Sequence, residues 1–257
     1  MVAFSKYHGA GNDFILIDDL ALSFPETNGE LIARLCHRQK GIGADGLILL
    51  QPSSGADFRM RIFNADGREV EMCGNGLRCL VHFINSDHPS LLIETQDGPV
   101  RCHREGEKIS THLRAPRMLF WNLSYALCGK ERQLYGVDTG VPHAILFEED
   151  LSRTDVDNWG REIRHFFPRG VNVNFVQVNP KGSLSVRTYE RGVEKETLAC
   201  GTGIAASAFV AAKLYGLESK IEVMAASKEI LEVALLNDGI EVKGPAVLVY
   251  DGEFNIK

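Results

Sequence analysis

The chain of 257 residues carries 28 Lys and Arg against 34 Asp and Glu, a formal charge of −6, with 44% hydrophobic and 24% charged residues. That is a globular composition with a real core, long enough for one large domain or two of about half the chain each. The acidic balance, without any run of Lys or Arg, lacks the footprint of a nucleic-acid or anionic-membrane binder and favours a small-molecule partner.

Residues 1–14 include His8, Gly9, Gly11, Asn12 and Asp13 where a signal peptide needs an unbroken apolar core, so export by that route is not expected. A helix is predicted over 29–39 with Asn28 as its cap, and the alternation of Phe58, Met60 and Ile62 with Arg59 and Arg61 predicts a strand. Further helices are predicted over 76–85, over 154–166 behind Thr154, and over 202–215 ending at Gly216. Leu184 and Val186 alternate with Ser185 and Arg187 in another strand, and short strands follow over 230–236, 239–243 and 246–250. The sum is an α+β mixture rich in strands. The segments Leu77–Asn85 and Ile204–Tyr215 each hold a single Lys or Arg, Arg78 and Lys213, so they are expected inside sheets. The uncharged run 197–212 is too short and too rich in small polar residues for a membrane span, which needs roughly 18 apolar residues.

One pattern occurs twice. Arg61 to Gly76 and Arg187 to Gly203 both run from an alternating strand through an acidic turn to Cys-Gly-x-Gly and then into an apolar helix. Cys73 and Cys200 lie about half the chain apart, as two copies of one domain require, although nothing else along the halves repeats visibly. Six cysteines without a Cys-x-x-Cys pair resemble neither a disulfide framework nor a zinc site, which points to free thiols in a reducing cytoplasm. Cys36, Cys79, Cys102 and Cys128 are expected to be protonated or buried.

Cys73 and Cys200 differ, because each precedes a helix start, where backbone N–H groups and the helix dipole favour a thiolate. Two thiols on opposite faces of a cleft suit inversion of a carbon centre: one removes the α-proton and the other supplies a proton to the opposite face. Gly-x-Gly helix starts can hold a carboxylate and the charge that develops on it. No dinucleotide fingerprint or phosphate loop is present, so a reaction without cofactor and without metal is expected.

The segments His8–Phe14, Gly41–Gly46, Ile62–Gly67, Cys73–Gly76, Tyr189–Gly192, Cys200–Gly203 and Gly244–Gly252 together resemble the diaminopimelate epimerase family, in the family's order and over nearly the whole chain. The resemblance implies two pseudo-symmetric domains, each a curved, mostly antiparallel sheet around a central helix, with the active site in the cleft between them. The expected boundaries are 1–114 completed by 246–257, and 115–245. It implies a cytoplasmic homodimer that interconverts LL- and meso-diaminopimelate without pyridoxal phosphate, on the route to lysine and peptidoglycan precursors. Cys73 and Cys200 match the family's acid/base pair. Gly74, Asn75, Gly201 and Thr202 match its carboxylate cradle, and Asn12, Asn64, Asn172, Glu190 and Arg191 the side chains that hold the rest of the substrate. His143 and Glu190 match residues that tune the thiols, and Tyr250 one at the dimer interface.

Two positions depart from the family pattern: Val141 stands where Asn is common, and Gly46 where many members have Gln. The residues by themselves also admit a cofactor-independent racemase of glutamate, aspartate or proline, and a dithiol redox sensor or amino-acid-binding protein.

Overall fold

The structure, a computed structural model, describes residues 1–256 and contains two compact units, residues 1–111 with the C-terminal segment from Gly244, and His112–Lys243. The first unit contains strands β1 (Val2–Gly9), β2 (Asn12–Asp18), β3 (Gly46–Gln51), β4 (Phe58–Asn64), β5 (Glu69–Val70), β6 (Ser90–Thr95), β7 (Gly98–Glu105) and the first half of β8 (Lys108–Arg114), which continues into the second unit, and helices α1 (Gly29–Cys36) and α2 (Gly74–Ile84). The second contains β9 (Arg117–Leu127), β10 (Lys130–Asp138), β11 (Pro142–Phe147), β12 (Asn172–Val178), β13 (Leu184–Glu190), β14 (Lys195–Thr197), β15 (Lys220–Met224), β16 (Ile230–Leu235) and most of β17 (Gly239–Pro245), whose last two residues return to the first unit, with helices α3 (Val156–Phe166) and α4 (Gly201–Tyr215). The last strand, β18 (Val247–Phe254), belongs to the first unit.

Both units follow one pairing scheme. In the first, β1 pairs antiparallel with β2, β2 parallel with β3, β3 antiparallel with β4, β4 parallel with β6, and β6 antiparallel with β7. In the second, the same relations join β10 to β11, β11 to β12, β12 to β13, β13 to β15, and β15 to β16. The duplication legible in one motif therefore runs through whole units. One strand is out of chain order: β18 takes beside β1 the place that β9 takes beside β10.

Each sheet is covered on two faces, which is why β3 reads as an unbroken apolar run, buried at every position. Ile15, Ile17, Leu47 and Leu49 pack with Ile32 and Leu35 of α1, while Leu16, Ile48 and Ile62 point the other way onto Leu77 and Leu80 of α2. In the second unit Val173, Phe175 and Tyr189 pack with Val156 and Ile163 of α3, and α4 lies against β10, β11, β12 and β13. The first turns of α2 and α4 are almost wholly buried, as their composition implies. Arg78 is buried too, with no exposed surface.

The helix ends differ from expectation where side chains redirect the backbone. Asn28 caps α1 as predicted, its Oδ1 accepting from Leu31 N at 3.0 Å, but α1 stops at Cys36. Gly43 N and Ala44 N donate to the carbonyls of Leu35 and Cys36, and His37 Nδ1 accepts from Gln39 N and Lys40 N, so the chain turns away. Asp155 rather than Thr154 caps α3, because Thr154 ends a short 3-10 turn and the Asp155 carboxylate reaches Asn158 N at 3.2 Å. Gly216, at φ +65°, ends α4 in the left-handed region that glycine favours.

An ionic cluster, buried at Lys6 and open to solvent at Arg38, ties the β1–β2 hairpin to residues 38–45. Lys6 Nζ donates to Asp13 Oδ2 at 2.6 Å and to Gly43 O, and Arg38 grips the same carboxylate at 2.7 and 3.1 Å. Burial alone would raise the Asp13 carboxyl, but the hydrogen bonds from Arg38 and Lys6 outweigh it and hold the pKa at about 2. A carboxyl depressed in the folded state stabilises fully above its ordinary value of 3.8, and that stabilisation is lost as pH falls through 3.8 toward about 2. Asp13→Asn should therefore lower the urea midpoint at neutral pH, with the gap to wild type closing across that window. A gap that stays constant between pH about 6 and about 2 would remove the cluster from the stability account.

Candidate active site

In the first unit, Cys73 stands at the N-cap of α2 in an extended conformation, with Leu77 N donating to its carbonyl at 2.9 Å. The first N–H groups of a helix have no acceptor within it, so this end directs N–H groups and the positive pole of the dipole toward the thiol's surroundings. Cys73 Sγ lies 3.7 Å from Asn12 Oδ1, and Asn75 Nδ2 donates to the same oxygen at 3.3 Å. Asn12 Nδ2 donates to Asp45 Oδ2 at 2.8 Å, and Asp45 Oδ1 accepts from Arg38 at 2.7 Å. The ionic cluster thus orients an amide beside the thiol: with its N–H turned to Asp45, the Asn12 carbonyl faces Cys73 and Asn75. Arg78 donates to Asn75 Oδ1 at 2.8 Å and fixes the second amide in the same manner.

In the second unit, Cys200 is the N-cap of α4, also extended, with Ile204 N donating to its carbonyl at 2.8 Å. Its Sγ lies 3.5 Å from Thr202 Oγ1, which lies 3.1 Å from His143 Nε2. His143 has no exposed surface, and desolvation pushes its pKa down to about 3, so the imidazole is neutral. Thr139 Oγ1 donates to Thr202 O at 3.0 Å, which pins the first turn of α4 to the end of β10.

The remaining candidates divide. Asn172 is buried opposite His143 in the β11–β12 register, and its Oδ1 accepts from Arg191 N at 2.9 Å. Arg191 is half-buried, one guanidinium nitrogen donating to Arg169 O at 3.3 Å, and Glu190 is half-buried at the end of β13. Asn64 is exposed at the end of β4, where its carbonyl accepts from Gly67 N in a turn. Tyr250 is not a core tyrosine: it is 44% exposed on β18, its ring edge-on to Phe4 at 5.9 Å. Gly46 lies opposite Asn64, and a Cβ there would fall 2.5 Å from Phe63 O, so the backbone as it runs here has no room for the side chain common at that position. Among the other thiols, burial pushes Cys36 and Cys102 up to about 12, and Cys79 is buried. Cys128 departs from expectation: it sits exposed in the turn between β9 and β10.

The profile of the diaminopimelate epimerase family matches residues 4–118 and 135–254. The chain belongs to that family. Diaminopimelate epimerases similar to this family member include that of Methanocella arvoryzae, 40% identical over 99% of this chain and 97% of the relative, and that of Methanothrix thermoacetophila, 42% identical over 97% and 94%. In fold, this diaminopimelate epimerase family chain is similar to a probable proline racemase from Agrobacterium radiobacter, with a TM-score of 0.78 at 14% identity over 100% of this chain and 94% of that one. It is also similar to a phenazine biosynthesis protein of the PhzF family from Bacillus anthracis, with a TM-score of 0.76 at 17% identity over 99% of both.

Arg78 and Asp45, and behind His143 Asn174, whose Nδ2 lies 3.0 Å from His143 Nδ1, and Thr188, which donates to Asn174 Oδ1 at 3.0 Å, are parts of these two sites that sequence reasoning missed. Only Arg78 left a signal, as the lone arginine of an apolar helix, one turn after Asn75. The two glycine positions of the motif are not equivalent either: the second, Gly76 and Gly203, is closely packed in both copies, whereas the first is open at Gly74. A Cβ on Gly203 would fall 2.2 Å from Asn174 Oδ1, whereas one on Gly74 meets nothing within 4 Å. Gly203→Ala should therefore cost about 1 to 3 kcal/mol of stability by overpacking, and Gly74→Ala close to none. Calorimetry on the two variants checks this, and equal melting temperatures would contradict the packing described.

Proposed function

We propose that this protein is a cofactor-independent epimerase interconverting LL- and meso-diaminopimelate, with Cys73 and Cys200 acting on opposite faces of one α-carbon. The observation that carries the reading is the matched pair of cysteines, each at the N-cap of a buried helix in one of two like-folded units. In one direction one thiolate takes the α-proton while the other thiol delivers a proton to the opposite face, and the roles exchange on reversal. Gly74, Asn75, Gly201 and Thr202 supply the N–H groups for the carboxylate next to the reacting carbon, and for the charge that spreads onto it. Asn12, Asn64, Asn172, Glu190 and Arg191 hold the amine and carboxylate of the far end, with Arg191 pairing the distal carboxylate. The enzyme works in the cytoplasm, on the route to lysine and peptidoglycan precursors.

Cys73→Ala and Cys200→Ala should each abolish turnover of both diastereomers with the circular dichroism spectrum unchanged. Wild type in deuterium oxide should place solvent deuterium on the α-carbon. Near wild-type turnover in both directions by either variant would remove the two-thiol mechanism. A substrate panel in which glutamate, aspartate or proline outpaces diaminopimelate would reassign the substrate.

The reading extends to a homodimer formed through β18, where Val247, Leu248, Val249 and Tyr250 are all exposed, more apolar surface than an edge segment leaves to solvent without a partner. Light scattering at micromolar concentration should give twice the chain mass, and Tyr250→Asp should shift it toward the monomer. A monomeric wild type would refute this part.

A further inference from the structure

The hydrogen bonds behind Cys200 fix where the protons of Asn174 and His143 sit. Asn174, on β12, is fully buried, as is His143, and Thr188 beside it on β13 is nearly so. Asn174 Nδ2 lies 3.3 Å from Ala144 O, which can only accept, and Thr188 Oγ1 donates to Asn174 Oδ1 at 3.0 Å. These two contacts decide which end of the amide carries the hydrogens. The second Nδ2 hydrogen is directed at His143 Nδ1, 3.0 Å away, so that nitrogen accepts. A neutral imidazole has one N–H, which is then on Nε2 and is donated to Thr202 Oγ1 at 3.1 Å. The Thr202 oxygen, accepting from Nε2, leaves its own hydrogen available to Cys200 Sγ, 3.5 Å away.

We infer that Asn174 is a positioning residue that sets the tautomer of His143, and that through Thr202 this presents a hydroxyl donor to the Cys200 sulfur. A buried imidazole with the opposite tautomer would accept the Thr202 hydrogen itself and withdraw it from the thiolate. Neutrality of His143, which its desolvation enforces, is required, because an imidazolium would donate from both nitrogens whatever Asn174 did. Gly203 belongs to the same device, since a Cβ there would displace the Asn174 carbonyl. The inference rests on the proposed role of Cys200 as a reacting thiol, but its readouts do not depend on which amino acid is turned over.

The test uses the full chain labelled with 15N-histidine, the His143 resonances being identified by their loss in His143→Gln. Wild type should show an unprotonated Nδ1 and a protonated Nε2 at neutral pH. In Asn174→Asp the carboxylate can only accept, so Nδ1 should become protonated. In parallel, iodoacetamide alkylation of Cys200 is followed against pH by peptide mass spectrometry. Thr202→Val should move the alkylation midpoint up by about one pH unit, Thr202→Ser should keep the wild-type midpoint, and Asn174→Asp should move it up as well. A wild-type His143 protonated on Nδ1 would overturn the inference without recourse to any variant. So would a midpoint unmoved by Thr202→Val, or one unmoved or lowered by Asn174→Asp. Loss of the proposed epimerase activity would instead appear as absent diaminopimelate turnover with these signatures intact.

Discussion

Burial of an apolar helix against a curved sheet is the constraint on which both sites depend. Neither α2 nor α4 has a polar face to leave in water over its first two turns, so each is enclosed and its start is fixed in position and angle. The fit is close at that start: a Cβ on Gly76 would fall 2.9 Å from Ile48 Cδ1, and one on Gly203 2.2 Å from Asn174 Oδ1. A thiol at the N-cap of such a helix inherits the rigidity of the core, which a thiol on a surface loop would lack.

The two units use this device with different polar surroundings. Beside Cys73, the Asn12 amide is oriented by a chain of charges, Asp45, Arg38, Asp13 and Lys6, partly open to solvent, where charged groups keep much of their hydration. Beside Cys200, the orienting groups are neutral and enclosed: Thr202, His143, Asn174 and Thr188. A charge among these would bear the full desolvation penalty, and the imidazole avoids it by staying neutral. Matched cysteines in like-folded units thus have different hydrogen-bonded neighbours, a chain of charges beside Cys73 and neutral dipoles beside Cys200.

Sequence similarity between the units is legible at Cys-Gly-x-Gly and its preceding strand, where the second glycine of each copy leaves no room for a side chain against its neighbours. Elsewhere the pairing scheme repeats without shared residues. Backbone hydrogen bonds make the ladder, and any side chain of suitable size and polarity can occupy a given face. The place of β18 beside β1 is not recorded in its own residues, since a strand's sequence records its faces and not its neighbour, and only the family resemblance put 246–257 with the first unit.

The sequence alone determined that the chain is strand-rich with two buried helices, that two cysteines stand at their starts, and that the segments carrying these features match one family. Periodicity, composition and short-range spacing suffice for these, because each depends on residues within a turn or two of one another. Tertiary structure alone decided which side chains orient the thiols' neighbours. Asp45 meets Asn12 from 33 residues away, and Asn174 meets His143 from 31. An Asp or Asn in isolation has the same local signature whether it caps a turn, faces solvent or sets a proton. Its role is fixed only when folding brings a donor and an acceptor to the two ends of its carboxylate or amide.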